Sequence, residues 1–221
     1  MVQVMQNLFL VSRGIIHPSL RARKHLFSLL SSSGTIAISA RNAARATFSS
    51  LDPAETPAAI LFYNRRVPAV GSDSKQEPGY DELLDSYLLA GGGLLIIGSS
   101  DLPQGNGCER FPRARVLIHQ VNEFSRVFEG VGDFEFKDTV FTRTVAEGTE
   151  IQFTVSGPWP GDADSHHNEI PVVWTRYRGR GRLCYIGLEL RAASLRHAGV
   201  RAIVLQAVEW LLLARRDSSS V

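Results

Sequence analysis

The chain contains few cysteines, little net charge and no long hydrophobic run. Only two of its 221 residues are cysteines, Cys108 and Cys184, which excludes a disulfide framework and a metal-knuckle spacing. The formal net charge of +2 is too small to indicate nucleic acid or an anionic membrane as a partner. The apolar run at residues 88–98 is interrupted by three glycines and is far shorter than the ~20 residues that span a membrane. We therefore expect a cytoplasmic protein with neither a nucleic-acid nor a membrane partner.

The remaining composition is that of an ordinary globular protein. Hydrophobic residues make up 44% of the chain and charged residues 21%, which is typical of a domain with a substantial core. The sequence has no internal repeat and no segment with the composition of a linker. We therefore expect one α/β domain over residues 1–216, followed by a disordered polar tail at 217–221.

Short apolar runs alternate with helical patterns in the first half of the chain. The predicted strands are residues 7–12, 35–39, 58–63 and 94–98; the predicted helices are residues 18–33, 41–50 and 80–90. Continuous apolar runs of this length, separated by helices, are typical of a parallel sheet that is covered on both faces. A glycine run at 91–93 follows the third helix, and we expect it to supply a left-handed helix end.

The second half predicts antiparallel strands. Residues 101–113 have the composition of a loop, and residues 116–120 are a further strand candidate. Residues 139–145 and 151–156 alternate enough to be antiparallel strands joined at Glu147-Gly148, whereas residues 157–168 are irregular. A hairpin follows over 170–187, with a Gly-Arg-Gly turn at 179–181, and a closing amphipathic helix covers 197–214.

Four segments carry the resemblance to a known family. They are Ile16-His17-Pro18 after the first strand; the helix, glycine run and strand at 80–98; the segment 125–141 with Asp133-Phe134 and Asp138; and the C-terminal stretch with Trp174, Tyr185 and Trp210. In this order they resemble the ThuA-like (trehalose-utilisation) family of the class I glutamine amidotransferase-like superfamily. The resemblance implies a three-layer α/β/α flavodoxin-like fold with a mainly parallel sheet and an antiparallel excursion at 136–187.

The resemblance implies binding of, or action on, a carbohydrate or keto-sugar derivative by a diverged relative of the family. Characteristic histidines are absent: Gly98 is followed by Ser99-Ser100, and Gly187 by Leu188-Glu189. Two interpretations therefore stay open. One is an enzyme that uses acid/base chemistry, and the other is a non-catalytic interaction or structural subunit, with residues 64–79 and 157–168 as contact surfaces.

In an open parallel sheet, ligands bind at the carboxyl ends of the strands. The predicted topology brings two sets of side chains to that edge, and the resemblance assigns their roles. The catalytic set is His17, Asp138 and Glu189; the substrate-binding set is Tyr63, Asn64, Arg65 and Ser99. An imidazole and a carboxylate can exchange protons near neutral pH. Ser99 could instead act as a nucleophile, which would require an adjacent base, or as a helix N-cap.

Other candidate sites are weaker. Asp162, Asp164, His166 and His167 are potential metal ligands, but they lie in a segment that reads as a loop, so we expect no metal and no cofactor. Cys184 lies within a strand and is expected in the core. Alternating arginines at 176–182 indicate a solvated hairpin. The expected partner is a sugar-like small molecule, and self-association into a homo-oligomer is compatible with the sequence.

Overall fold

The computed structural model describes residues 6–12, 20–32, 36–42, 57–63, 80–98, 108–159 and 169–213. The described strands are β1 (Gln6–Ser12), β2 (Ile36–Asn42), β3 (Ala59–Tyr63), β4 (Gly93–Ile97), β5 (Glu109–Gln120), β6 (Phe134–Thr142), β7 (Thr149–Ser156), β8 (Ile170–Arg178) and β9 (Gly181–Ile186). The described helices are α1 (Leu20–Ser31), α2 (Tyr80–Leu89) and α3 (Ala198–Leu213). All nine strands belong to one sheet, in the order β2-β1-β3-β4-β9-β8-β7-β5-β6.

The sheet is parallel in its first half and antiparallel in its second. Strands β2, β1, β3, β4 and β9 pair in parallel, and the remaining pairings are antiparallel. The antiparallel part therefore begins at Glu109, earlier than the predicted start at 136. It accounts for half of the pairings, so the sheet is mixed rather than mainly parallel.

Alternate residues of the central strands enter two separate hydrophobic clusters. Leu61 of β3 packs in the cluster that contains α1 and α3, whereas Ile60 and Phe62 pack in the cluster that contains α2. Because side chains alternate across a strand, the helices must cover opposite faces of the sheet. Burial on both faces explains why β3 and β4 are continuous apolar runs. The predicted strand at 58–63 and helix at 80–90 are confirmed.

The glycine run after α2 ends that helix as predicted. Gly91 has a φ of 102°, and its N–H donates to the carbonyl of Leu88 over 2.9 Å. The N–H of Gly92 donates to the carbonyl of Tyr87, also over 2.9 Å. These two bonds form a Schellman motif, in which a residue at positive φ satisfies the last carbonyls of the helix.

The edge strand β6 curls back to the chain that leaves β9. Val140 of β6 forms an antiparallel bridge with Leu188, and the N–H of Phe141 donates to the carbonyl of Gly187 over 2.7 Å. A Cβ atom on Gly187 would lie 2.0 Å from the carbonyl oxygen of Phe141. Only glycine permits this close approach of two main chains. The contact joins the antiparallel half to the carboxyl end of the parallel half.

Three details of the predicted secondary structure are wrong. The strands predicted at 139–145 and 151–156 do not form a hairpin, because β6 and β7 lie on opposite sides of β5. The predicted loop at 101–113 contains the first part of β5, where a register shift between Phe111 and Ala114 accommodates Pro112. Arg41 and Asn42 extend β2 rather than starting a helix; residues 43–50 lie outside the described residues.

The C-terminal elements agree with prediction. The hairpin of β8 and β9 turns at Gly179, which has a φ of 58°, and α3 lies within one residue of the predicted helix at each end. No helix in the described part of the chain is long and apolar enough to cross a membrane.

Candidate active site at the carboxyl edge of the sheet

Three of the predicted site residues meet at the carboxyl edge of the parallel strands. Tyr63 is the last residue of β3, Glu189 lies three positions beyond the end of β9, and Asp138 lies within β6. The curl of β6 toward the chain after β9 brings Asp138 to the other two. The side chains of Tyr63 and Asp138 form hydrogen bonds with the main chain of Leu190, the residue after Glu189. We call Tyr63, Asp138, Glu189 and Arg191 the edge cluster.

Leu190 is held on both sides of its main chain. The hydroxyl of Tyr63 donates to the Leu190 carbonyl, and the Leu190 N–H donates to Oδ2 of Asp138 over 3.0 Å. Leu190 has a φ of 53° and is the one described non-glycine residue at positive φ. That conformation costs of order 1 kcal/mol or more for a leucine. The two buried hydrogen bonds and the fully buried leucine side chain stabilise it.

The Asp138 carboxyl is fully buried, and burial shifts its proton equilibrium toward the protonated form. Burial raises its pKa to about 6, and the charge of Glu189 acts in the same direction. The N–H groups of Thr139, at 2.9 Å from Oδ1, and of Leu190 act in the opposite direction because they stabilise the carboxylate. Asp138 can therefore hold or release a proton near neutral pH.

Glu189 is the less buried of the two carboxylates in the edge cluster. Its residue is 8% exposed, and its main-chain N–H is bound to the carbonyl of Thr139 over 3.1 Å. Its two carboxylate oxygens accept hydrogen bonds from Nε and Nη2 of Arg191 over 2.7 and 3.2 Å. The Arg191 side chain is 41% exposed. A forked pair of this kind fixes the plane of the carboxylate and leaves a cation beside it.

Tyr63 is neutral in this environment. Burial raises the pKa of its hydroxyl, and the charges of Asp138 and Glu189 raise it further, against a smaller opposing effect of Arg23. The hydroxyl is therefore a hydrogen-bond donor, and it donates to Leu190. Its predicted role in orienting a substrate hydroxyl stays a prediction.

A second polar group at the same edge was not predicted from the sequence. The Tyr185 hydroxyl lies 3.3 Å from the carbonyl oxygen of Gly98 and 3.4 Å from that of Phe141. The guanidinium of the buried Arg143 lies 5.7 Å from the centre of the Tyr185 ring, and Trp174 stacks on the ring at 5.1 Å. The hydroxyl of Tyr185, on β9, thus connects the chain after β4 with β6, and Trp174 of β8 packs on the Tyr185 ring. Both residues carry part of the family resemblance.

The remaining predicted site residues lie outside the described residues: His17, Asn64, Arg65 and Ser99. Their roles stay predictions, as does the role of residues 162–167 as potential metal ligands. Within the described ranges, no group of three or more His, Cys, Asp or Glu side chains could hold a metal ion. Cys184 is fully buried, which confirms the expected core position.

The sequence predicted that the segment 188–191 lies at this edge of the sheet but assigned no role to Leu190 or Arg191. A leucine carries no sequence signal for positive φ, so the turn that orients Glu189 could not be read from residue types. Arg191 could have been noticed, because an arginine two positions after a carboxylate in an irregular turn can reach back to it.

The fold and the edge cluster define an α/β protein with two carboxylates and a cation at the carboxyl edge of its parallel strands. No protein-family model matches the sequence, and no curated protein matches it. Solved structures do match. A protein from Parabacteroides merdae described as ThuA-like gives a TM-score of 0.69 at 12% identity and covers 94% of this chain and 90% of its own. A ThuA-like protein from Bacteroides uniformis gives 0.67 at 11% identity, with 96% and 93% covered.

A β-galactosidase from Rahnella contains the same fold as one part of a longer chain. It gives a TM-score of 0.58 at 11% identity and covers 95% of this chain, but this chain covers only 32% of the β-galactosidase. Identities this low establish a common fold and nothing finer. The predicted likeness to ThuA-like proteins is thereby confirmed at the level of structure.

Proposed function

We propose that this chain is a ThuA-like protein that binds or acts on a carbohydrate or keto-sugar derivative by acid/base chemistry. The observation that carries the proposal is the edge cluster, in which the carboxylate of Glu189 is paired with the more exposed Arg191 and adjoins the fully buried Asp138. The ThuA-like neighbours and the β-galactosidases support a carbohydrate-related role. The finer parts of the proposal are a three-layer flavodoxin-like domain, trehalose or related sugars as the substrate class, and the cytoplasm as the compartment.

In this proposal Glu189 is the group that meets the substrate, because it is the less buried carboxylate of the pair and lies beside the more exposed Arg191. It removes a proton from the carbon next to a sugar carbonyl, and the exposed Arg191 guanidinium stabilises the negative charge that develops on the carbonyl oxygen. His17 delivers a proton to the opposite face of the same carbon, which gives an epimer, or to the former carbonyl carbon while the adjacent hydroxyl proton moves to the former carbonyl oxygen, which gives an isomer. The reaction is then an isomerisation or epimerisation in which no atom is gained or lost.

Asp138 and Tyr63 act in this scheme as positioning residues. Both are fully buried, and both hydrogen bonds go to the main chain of Leu190. They hold the turn that carries Glu189 on one side and Arg191 on the other. Asn64, Arg65 and Ser99 would bind the sugar hydroxyls.

The experiment is exchange in deuterated buffer. The protein is incubated with a panel of keto-sugars and disaccharides, and loss of the proton next to the carbonyl is followed by proton NMR. We expect exchange with at least one keto-sugar, a reduction of at least 100-fold in Glu189→Gln, and a comparable loss in His17→Ala. Glu147→Gln is the matched control, because Glu147 is exposed in the turn before β7.

Two results would contradict the enzymatic proposal. One is exchange that Glu189→Gln and His17→Ala leave unchanged; the other is the absence of both exchange and a ligand-induced rise in melting temperature across the panel. Binding without exchange would leave a sugar-binding protein without turnover.

The second candidate is a non-catalytic interaction or structural subunit. The observation that favours it is that the polar groups of Tyr63 and Asp138 are engaged by the chain itself. A homo-oligomer would belong to this candidate, and the molar mass in solution by light scattering tests it. A monomer that exchanges protons on a sugar would rule this candidate out.

A further inference from the structure

A second group of reactive side chains lies away from the edge cluster. Nε2 of His119 lies 3.0 Å from Oγ of Ser156, and Nδ1 of the same ring lies 3.3 Å from Oδ2 of Asp133. The serine hydroxyl, the imidazole and the carboxylate are therefore connected in a single line. This connectivity, with the serine on one ring nitrogen and the carboxylate on the other, is that of a nucleophilic serine activated by a histidine. We call it the Ser–His–Asp line.

Strand register brings the three residues together. Leu117 lies opposite Ser156, and His119 lies opposite Thr154 in the antiparallel pair of β5 and β7. Directly opposed side chains share a face of the sheet, and so do residues two apart along one strand. The neighbouring pair Ile118 and Val155 is fully buried on the core side. His119 and Ser156 therefore project from the face that is turned away from that core.

Asp133 is fixed by the main chain. Its Oδ1 accepts a hydrogen bond of 2.8 Å from the N–H of Gln120, next to His119 on β5. The Gln120 side chain in turn accepts from the N–H of Gly132 over 3.1 Å and donates to the carbonyl of Phe128 over 3.0 Å. The carboxylate oxygen that is left, Oδ2, faces the imidazole. The third residue of the line is thus positioned by bonds that do not involve the other two.

The line is accessible and separate from the edge cluster. The His119 side chain is 27% exposed and that of Asp133 is 55% exposed, and Ser156 is half-buried. Asp133 and Asp138 are five residues apart in an extended segment, so their Cα atoms are about 17 Å apart at ~3.4 Å per residue. The edge cluster and the Ser–His–Asp line cannot serve one small substrate together.

We propose that Ser156, His119 and Asp133 form a second active site that hydrolyses small acyl esters. His119 Nε2 takes the proton of the Ser156 hydroxyl as Oγ bonds to the ester carbonyl carbon. The imidazolium is stabilised by Asp133, and it gives its proton to the departing alkoxide as the carbon–oxygen bond of the ester breaks. Water, deprotonated in turn by His119, then attacks the acyl-serine; the bond from the acyl carbon to Oγ breaks, His119 returns the proton to Oγ, and the acid is released. The net reaction consumes one ester and one water and yields one acid and one alcohol.

The surroundings favour a short acyl group on the ester. The site lies at the end of β7, where Leu117 is the half-buried apolar side chain opposite the serine. Thr154, opposite His119, donates its hydroxyl to Glu169 over 3.1 Å, so the next position along the face is polar. One apolar side chain suits an acetyl or propionyl group, and polar neighbours suit a hydrophilic alcohol.

The test uses a fluorophosphonate and p-nitrophenyl acetate with the full-length protein. In the first reaction the Ser156 oxygen bonds to phosphorus, the phosphorus–fluorine bond breaks, and His119 takes the hydroxyl proton. We expect one adduct by intact-mass spectrometry, mapped by peptide sequencing to Ser156. We also expect ester hydrolysis that falls at least 100-fold in Ser156→Ala and at least tenfold in His119→Gln and Asp133→Asn.

Ser86→Ala is the matched control, because Ser86 is exposed on α2; its labelling and hydrolysis should equal those of the wild type. Melting temperatures of all variants establish that the fold is intact. A wild-type protein that carries no adduct, or labelling that persists in Ser156→Ala, overturns the proposal. Labelling at Ser156 that is equally fast in His119→Gln also overturns it, because the histidine would then not activate the serine.

Discussion

The carboxylate of Asp138 accepts a hydrogen bond of 3.0 Å from the main-chain N–H of Leu190. The two residues are 52 positions apart in the chain, and the bond joins the edge strand β6 to the turn that leaves the central strand β9. It also holds Leu190 at positive φ, between Glu189 and Arg191. The orientation of the Glu189 carboxylate thus depends on the fully buried carboxyl of Asp138.

Removing the Tyr63 hydroxyl should weaken this turn. In Tyr63→Phe the buried carbonyl of Leu190 loses its donor, and an unsatisfied buried carbonyl costs about 1–3 kcal/mol. We expect the free energy of unfolding, measured in urea, to fall by that amount. The matched control is Tyr177→Phe, because Tyr177 is 61% exposed and its change should stay within about 0.5 kcal/mol. Equal effects in the two variants would show that the bond to Leu190 does not stabilise the fold.

Asp138 should make stability depend on pH in an unusual direction. Burial raises its pKa from 3.8 to about 6, so the folded state binds this proton more tightly than the unfolded state does. The resulting stabilisation is complete below pH ~4 and is lost as the pH rises through about 6; its full size is about 3 kcal/mol. Asp138→Asn has no such proton. The free energy of unfolding of Asp138→Asn minus that of the wild type should therefore rise by up to about 3 kcal/mol from pH 4 to pH 7.

Urea unfolding of both proteins at four pH values across that range measures the difference. Asp85→Asn is a control of opposite sign, because the hydrogen bond from Arg178 lowers the pKa of Asp85. The stabilisation that Asp85 provides is lost as the pH falls. The free energy of unfolding of Asp85→Asn minus that of the wild type should therefore rise as the pH falls. Parallel profiles for the wild type and Asp138→Asn would contradict the raised pKa.

Elements with a strong local pattern could be predicted from the sequence. The strand β3 is apolar at every position, and α2 ends in a glycine run, so both were located within one residue. The first part of β5 could not be found, because residues 109–113 are mostly exposed and include Pro112. No alternation of apolar side chains marks such a segment. It is a strand because its main chain pairs with β6, and that long-range pairing cannot be read from the local sequence.

The candidate site likewise has residues that could be predicted from the sequence and contacts that could not. The resemblance pointed to Asp138 and Glu189, which are acidic residues in recognisable segments. Asp138 is connected to Glu189 through the main chain of Leu190. Main-chain hydrogen bonds cannot be predicted from a pattern of residue types. The Ser–His–Asp line was missed for a related reason: His119 and Ser156 are 37 residues apart, and only the register of β5 against β7 places them together.

Gly187 should not tolerate a side chain. A Cβ atom there would lie 2.0 Å from the carbonyl oxygen of Phe141, and that oxygen belongs to the main chain and cannot move without breaking the contact between β6 and the chain after β9. We expect Gly187→Ala to lower the free energy of unfolding by about 3 kcal/mol or more, or to prevent folding. Gly148→Ala is the control: Gly148 has a φ of 74° in open space, so only the backbone penalty of about 1 kcal/mol applies. A loss in Gly187→Ala no larger than in Gly148→Ala would mean that the two main chains do not approach this closely.

The two thiols should react at very different rates. Cys184 lies on β9 between parallel β4 and antiparallel β8 and is fully buried, and burial raises the pKa of its thiol. Cys108 precedes β5 and is only half-buried. Because the thiolate is the reactive form, we expect an aromatic disulfide reagent to modify Cys108 at least 100-fold faster than Cys184. The reaction of Cys184 should then require opening of the sheet, and urea should accelerate it.

Cys108→Ser should remove the fast phase and leave the slow one unchanged. Two thiols modified in one fast phase would contradict the central position of β9, on which the location of Glu189 depends.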